Sequence, residues 1–156
     1  MLPVAVRICE AVEHAHSRDL IHRDIKPDNF VWTGAKSIKT IDFGIAKFVG
    51  EDVTGRPLDQ FTKVTEFVGP ALYSSPELLA YARDKSHVVD HRSDIFQIAK
   101  VIWFLATGRV SAGIPSQRLC PFKGKLWDAL IGCFSDEPDD RPDSPAGIRD
   151  ALATLA

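Results

Sequence analysis

Val4, Ile8, Ala11, Val12 and Ala15 recur at helical spacing, which predicts a helix over residues 3–17 with one buried face. Ser17-Arg18-Asp19 is a polar break that ends it. Residues 21–29 mix charged and apolar positions without a helical or strand period and read as a loop. Phe30-Val31-Trp32 predicts a short strand, residues 33–36 a turn, and residues 37–41 a second strand, so this part reads as a small hairpin. Residues 44–74 hold glycines, prolines and threonines with no sustained period. An irregular stretch of that length in a folded domain is usually a functional segment. From Ser93 to Gly108 the chain is apolar on every side: Ile95, Phe96, Ile98, Ala99, Val101, Ile102, Trp103, Phe104 and Leu105 predict a central, buried helix, with Gly108 placed to stop it. Two further helices follow at roughly 123–134 and 144–155, the last with Asp143 or Ser144 as its cap. The pattern is that of a mainly α chain with one small β-hairpin and no internal repeats.

The 156 residues suit one domain, and a hydrophobic share of 45% with 26% charged residues is the profile of a globular protein. The formal charge of −2 gives no basic excess, so nucleic acid is not expected as a partner. No apolar run approaches the ~18 residues of a membrane span, and Arg7, Glu10 and Glu13 interrupt the start too early for a signal peptide. Cys9, Cys120 and Cys133 are odd in number and far apart, which suggests neither a zinc site nor a disulfide framework. Buried thiols and the lack of an export signal place the chain in the cytoplasm as an expectation. The sequence opens inside an amphipathic helix, which gives it the look of a truncated domain.

The chemistry concentrates in His22-Arg23-Asp24-Ile25-Lys26-Pro27-Asp28-Asn29, set between two apolar elements. Asp42-Phe43-Gly44 follows just past the second strand. A hairpin brings its ends together, so Asp24, Asn29 and Asp42 can face one point. Two carboxylates and an amide oxygen are hard ligands that suit Mg²⁺ held together with phosphates. Lys26 adds a positive charge for a phosphoryl group.

The pattern His-Arg-Asp-x-Lys-Pro-x-Asn followed by Asp-Phe-Gly resembles the signature of the protein kinase family. The resemblance implies that Asp24 accepts the hydroxyl proton of a protein substrate, that Lys26 contacts the transferred phosphoryl group, and that Asn29 and Asp42 bind the Mg²⁺ ions of Mg²⁺-ATP. Lys26 is the residue of the Ser/Thr subgroup. The likeness continues through Gly69-Pro70-Ala71-Leu72-Tyr73-Ser74-Ser75-Pro76-Glu77, which is similar to the end of an activation segment spanning 42–77. Arg141 stands where the family pairs an arginine with Glu77. Asp94 matches the aspartate that binds the catalytic-loop backbone, residues 22–29, from the head of the central helix, about 93–108. His22 and Phe43 match a regulatory hydrophobic stack, with Gly44 completing that motif, and Val31 matches a residue below the adenine ring.

The sequence also departs from the family. Pro70 replaces the usual threonine of Ser/Thr kinases and offers neither hydroxyl nor N–H, so it points away from the preference that Lys26 indicates. Ala99 replaces a glycine, which a helix tolerates. Glu66 occupies the usual phosphosite facing Arg23, so a carboxylate is expected to stand in part for a phosphate there, with Thr65 or Thr62 as alternative phosphosites. These residues contain no Gly-rich phosphate loop, no Val-Ala-x-Lys strand and no partner glutamate helix. The resemblance therefore implies a helical lower lobe (the C-lobe) without the upper N-lobe that covers ATP. That leaves three expectations: part of an ATP-dependent protein kinase, inactive as a fragment by itself; a non-catalytic kinase-like binding module; or a truncated remnant. It also implies exposed apolar surface near Val31 and Phe43, and with it a tendency to aggregate.

Overall fold

Helix α1 (Leu2–His16) buries Ala5, Ile8, Cys9, Val12 and Ala15 along one face, the i, i+3, i+4 stripe of its sequence. The computed structural model describes residues 2–33, 38–41, 47–48 and 71–155. The N–H of Asp19, at φ 57°, takes the carbonyl of His16 and closes the helix end. After α1 come β1 (Leu20–Ile21), a 3₁₀ turn at Pro27–Asn29, β2 (Phe30–Trp32), β3 (Ile38–Thr40) and β4 (Lys47–Phe48). Then follow α2 (Pro76–Arg83), α3 (Arg92–Thr107), α4 (Lys125–Ile131) and α5 (Ala146–Ala153).

Strands β2 and β3 pair antiparallel with Phe30 opposite Thr40 and Trp32 opposite Ile38. This is the hairpin expected from the sequence, and Ile41 N–H donating to the Asn29 carbonyl at 2.9 Å extends its closure. A second two-stranded pairing joins β1 to β4, Leu20 opposite Phe48. It lies partly within the stretch read as irregular, because two residues are too short to show a period. Among the described residues the chain is mainly helical, with these two small sheets.

Helix α3 is the axis of the core. Every residue from Ser93 to Trp103 is buried, and around it pack Ile8, Val12, Ile25, Leu126, Leu130, Phe134, Ile148 and Leu152. Its C-cap is Gly108 at φ 69°, whose N–H reaches the Phe104 carbonyl at 2.7 Å; that left-handed conformation is why glycine stands there. Helix α4 ends at Ile131 and continues as a 3₁₀ turn at Gly132–Phe134, so the predicted helix over 123–134 is two elements. Helix α5 starts later than expected, with Pro145 at the N-cap. Ser144 Oγ still accepts the Ala146 N–H at 3.0 Å, while Asp143 is drawn away to pair with Arg92.

The three cysteines are free and buried. Burial pushes the thiols of Cys9 and Cys133 up to about 12, so both stay protonated at neutral pH. No helix among the described residues is long and apolar enough to cross a membrane.

Candidate active site

The backbone of residues 22–25 is held by side chains of α3. Asp94, wholly buried, accepts the N–H of His22 through Oδ2 and the N–H of Arg23 through Oδ1, each at 2.8 Å. Three residues on, Gln97 Oε1 accepts the Ile25 N–H at 2.8 Å, and its Nε2 donates to the Arg23 carbonyl at 3.2 Å. Residues 94 and 97 lie on one face of the helix, so a single rigid rod grips the loop twice. The grip fixes Arg23 at φ 65°, a left-handed conformation that a non-glycine residue adopts only at a cost of about 1–3 kcal/mol. Donors to the Asp94 carboxylate are completed by His16 at the end of α1, whose Nε2 lies 2.8 Å from Oδ2.

That bend turns Asp24 toward Asn29. Asp24 Oδ2 accepts from Lys26 Nζ at 2.8 Å and from Asn29 Nδ2 at 2.9 Å, and Asn29 Nδ2 also reaches the Asp24 carbonyl at 2.7 Å. The 3₁₀ turn at Pro27–Asn29 folds Asn29 back into this position, its N–H bonded to the Lys26 carbonyl. The Asp24 N–H points at His22 Nδ1, 3.3 Å away, with His22 buried beneath the loop. Among the described residues Asp24 Oδ1 and Asn29 Oδ1 carry no hydrogen bond. Asp24 Oδ2 and Asn29 Nδ2 thus build the cluster, and the remaining oxygen of each side chain, Oδ1, is open among the described residues. Asp24 and Lys26 side chains are about one-fifth exposed.

Val31 lies on β2, 43% exposed. Asp42, Phe43, Gly44, Glu66 and Pro70 lie outside the described residues, and the expectations placed on them rest on the sequence. The Arg23 guanidinium is buried, donates through Nη2 to the Val89 carbonyl at 3.0 Å, and stacks over the Tyr81 ring at 5.4 Å.

Glu77, in the first turn of α2, meets Arg141 in a two-bonded ion pair at 2.7 and 2.8 Å. Arg141 also donates to the carbonyls of Ser135, Arg92 and Asp136 and lies over the Phe96 ring at 4.9 Å. Nearby, Ser75 and Ser93 hydroxyls bond at 2.7 Å in a fully buried contact. Lys100, one turn beyond Gln97, donates to the Leu72 carbonyl at 2.6 Å, and burial lowers its pKa.

Gln97, Lys100 and His16 were missed as positioning residues. The signal was in the sequence: Asp94, Gln97 and Lys100 are polar groups at helical spacing within an otherwise apolar, buried helix. Such groups must find partners. Gln97→Leu is expected to leave the Ile25 N–H buried and unbonded. It should cost about 1–3 kcal/mol, read as an earlier urea midpoint at unchanged slope. A midpoint equal to the parent's would show that the helix does not hold the loop through this side chain.

A family model described as the protein kinase domain matches residues 3–117, nearly the whole path from α1 to the turn after α3. The chain belongs to the protein kinase family. It is 36% identical to a probable serine/threonine-protein kinase of Clostridium acetobutylicum over 99% of its own length and 24% of that protein. It is also 36% identical over 106 residues to the probable serine/threonine-protein kinase PknB of Corynebacterium glutamicum, covering 68% of this chain and 15% of the relative. Against the serine/threonine-protein kinase PknB of Mycolicibacterium smegmatis the identity is 28%, over 90% of this chain and 24% of that protein. The chain thus spans a quarter or less of the length of these kinases. The cluster of Asp24, Lys26 and Asn29 and the α3 grip fall inside the matched region.

Proposed function

We propose that this chain is the catalytic-loop lobe, the C-lobe, of a serine/threonine protein kinase that transfers the γ-phosphoryl group of ATP to a hydroxyl of a protein substrate. The observation that carries the reading is the Asp24–Lys26–Asn29 cluster with one open oxygen on each of Asp24 and Asn29. Asp24 Oδ1 is free to accept the proton of an approaching hydroxyl and to orient its oxygen for in-line attack. Lys26, anchored on Asp24, holds a positive charge beside the point of transfer. Asn29 Oδ1, with its amide nitrogen committed to Asp24, is a hard oxygen ligand that fits Mg²⁺, and Asp42 would complete the set. Mg²⁺-ATP, when bound, supplies the phosphoryl group and the charge neutralisation. His22, Arg23 and Asp94 shape the loop, and the Glu77–Arg141 pair ties the end of the 42–77 segment to the helical body. Lys26 and the serine/threonine kinases among the relatives favour a Ser/Thr acceptor over tyrosine.

Calorimetric titration of Mg²⁺-ATP into the purified chain tests this. Binding at about 1 mM or tighter, on the order of −4 kcal/mol, is expected, and it should vanish in Asp42→Ala. Heat that is absent from the parent chain would leave a non-catalytic kinase-like binding module as the reading.

A further inference from the structure

Beyond the C-terminal end of α3 the chain forms a groove of about 820 Å³ lined by Trp103, Val110, Ile114, Leu119, Arg109 and Arg118, among others. Ile114 is 67% and Leu119 61% exposed, an apolar pair at the surface of a concave site. Neither Arg109 nor Arg118 makes an ion pair among the described residues, whereas Arg92, Arg141 and Arg149 all do. The sequence explains why. From Ile95 to Trp127 there is no aspartate or glutamate, while Lys100, Arg109, Arg118, Lys123 and Lys125 fall in that stretch of a chain whose net charge is −2. Among the described residues the groove is cationic and apolar, with no carboxylate in its lining.

We propose that this groove docks an acidic segment of the protein substrate, one that alternates carboxylates with aliphatic side chains. The partner's carboxylates pair with Arg109 and Arg118, and its aliphatic side chains fill the space between Ile114 and Leu119. A concave site of this volume admits individual side chains, which a flat bilayer cannot supply. The assignment to substrate rests on the kinase reading and on position. Thr107 lies thirteen helical steps beyond Asp94 on α3, about 20 Å along the axis. A docked segment is therefore tethered within reach of Asp24 by a linker of about eight residues, which raises the local concentration of its acceptor hydroxyl.

A fluorescein-labelled peptide of alternating aspartate and leucine, titrated into the chain without nucleotide, is the test. Binding seen by anisotropy should weaken at least tenfold in the double variant Arg109→Glu, Arg118→Glu, and severalfold in Ile114→Ser. It should change little in Lys123→Glu, Lys125→Glu, which reverses the same charge outside the groove. Circular dichroism melts of each variant keep loss of fold apart from loss of binding. Absence of binding, or equal loss in both double variants, overturns the proposal. So does a concentration-dependent dimer broken by Arg109→Glu, or equal capture by anionic phospholipid vesicles. Joined to an acceptor serine, the segment should lower KM for phosphorylation by the full-length kinase at least tenfold with kcat unchanged. Equal KM with and without the segment overturns the assignment to substrate. Peptide that binds in the groove but is never phosphorylated, in a chain that fails to bind Mg²⁺-ATP, overturns the kinase reading and the substrate assignment together.

Discussion

Asp24→Asn should slow phosphoryl transfer by about 10²–10⁴-fold, the usual contribution of a positioned general base, while fold and nucleotide affinity stay unchanged. The geometry makes this substitution a clean probe. Asp24 uses Oδ2 to receive Lys26 Nζ and Asn29 Nδ2, and Oδ1 is open among the described residues. An asparagine can place its one oxygen at the Oδ2 position and keep both bonds. Its NH₂ then occupies the Oδ1 position, where a donor replaces the acceptor that the substrate proton needs. Initial rates with γ-labelled ATP, measured on the full-length kinase beside Mg²⁺-ATP calorimetry, check it. A rate equal to the parent's would remove Asp24 from the proton-accepting role.

The largest stability effect is expected at Arg141. Arg141→Leu should cost about 3–5 kcal/mol and lower the melting temperature by about 10 °C. Each of the five N–H donors of this guanidinium has a partner: two go to the Glu77 carboxylate, and one each to the carbonyls of Ser135, Arg92 and Asp136. The Arg141 side chain is wholly buried and Glu77 is 11% exposed, so removing the arginine strands a carboxylate away from water. Arg141→Lys should also destabilise, because an ammonium cannot reproduce the fork. The double variant Arg141→Leu, Glu77→Leu should recover part of the loss, since it removes both charges. A single variant that melts within about 2 °C of the parent would show the pair to be ornamental.

Much of the site was legible because its residues are close in sequence. Asp24, Lys26 and Asn29 fall within one turn of chain, and a proline and a short hairpin limit the ways that segment can fold. The central helix was legible because apolar residues fall on every side of it, and Gly108 marks its end. The late start of α5 and the split of α4 were not, because helix ends are set by competing partners. Asp143 was free to cap in the sequence, yet in the fold it has an arginine to meet. The β1–β4 pairing was invisible because two residues carry no period.

The sequence alone determined the family, the identity of the polar cluster and the rod on which the domain is built, since each is encoded in local spacing. The tertiary structure decided how that rod is used. Asp94 and Gln97 lie some seventy residues from the loop they hold, and no local pattern states which backbone N–H a buried carboxylate will choose. Packing α3 beneath residues 22–25 excludes water from those N–H groups. The side chains of Asp94 and Gln97 then become the partners that water would otherwise supply. The same exclusion fixes Arg23 in its left-handed turn and so aims Asp24 at the open side of the cluster.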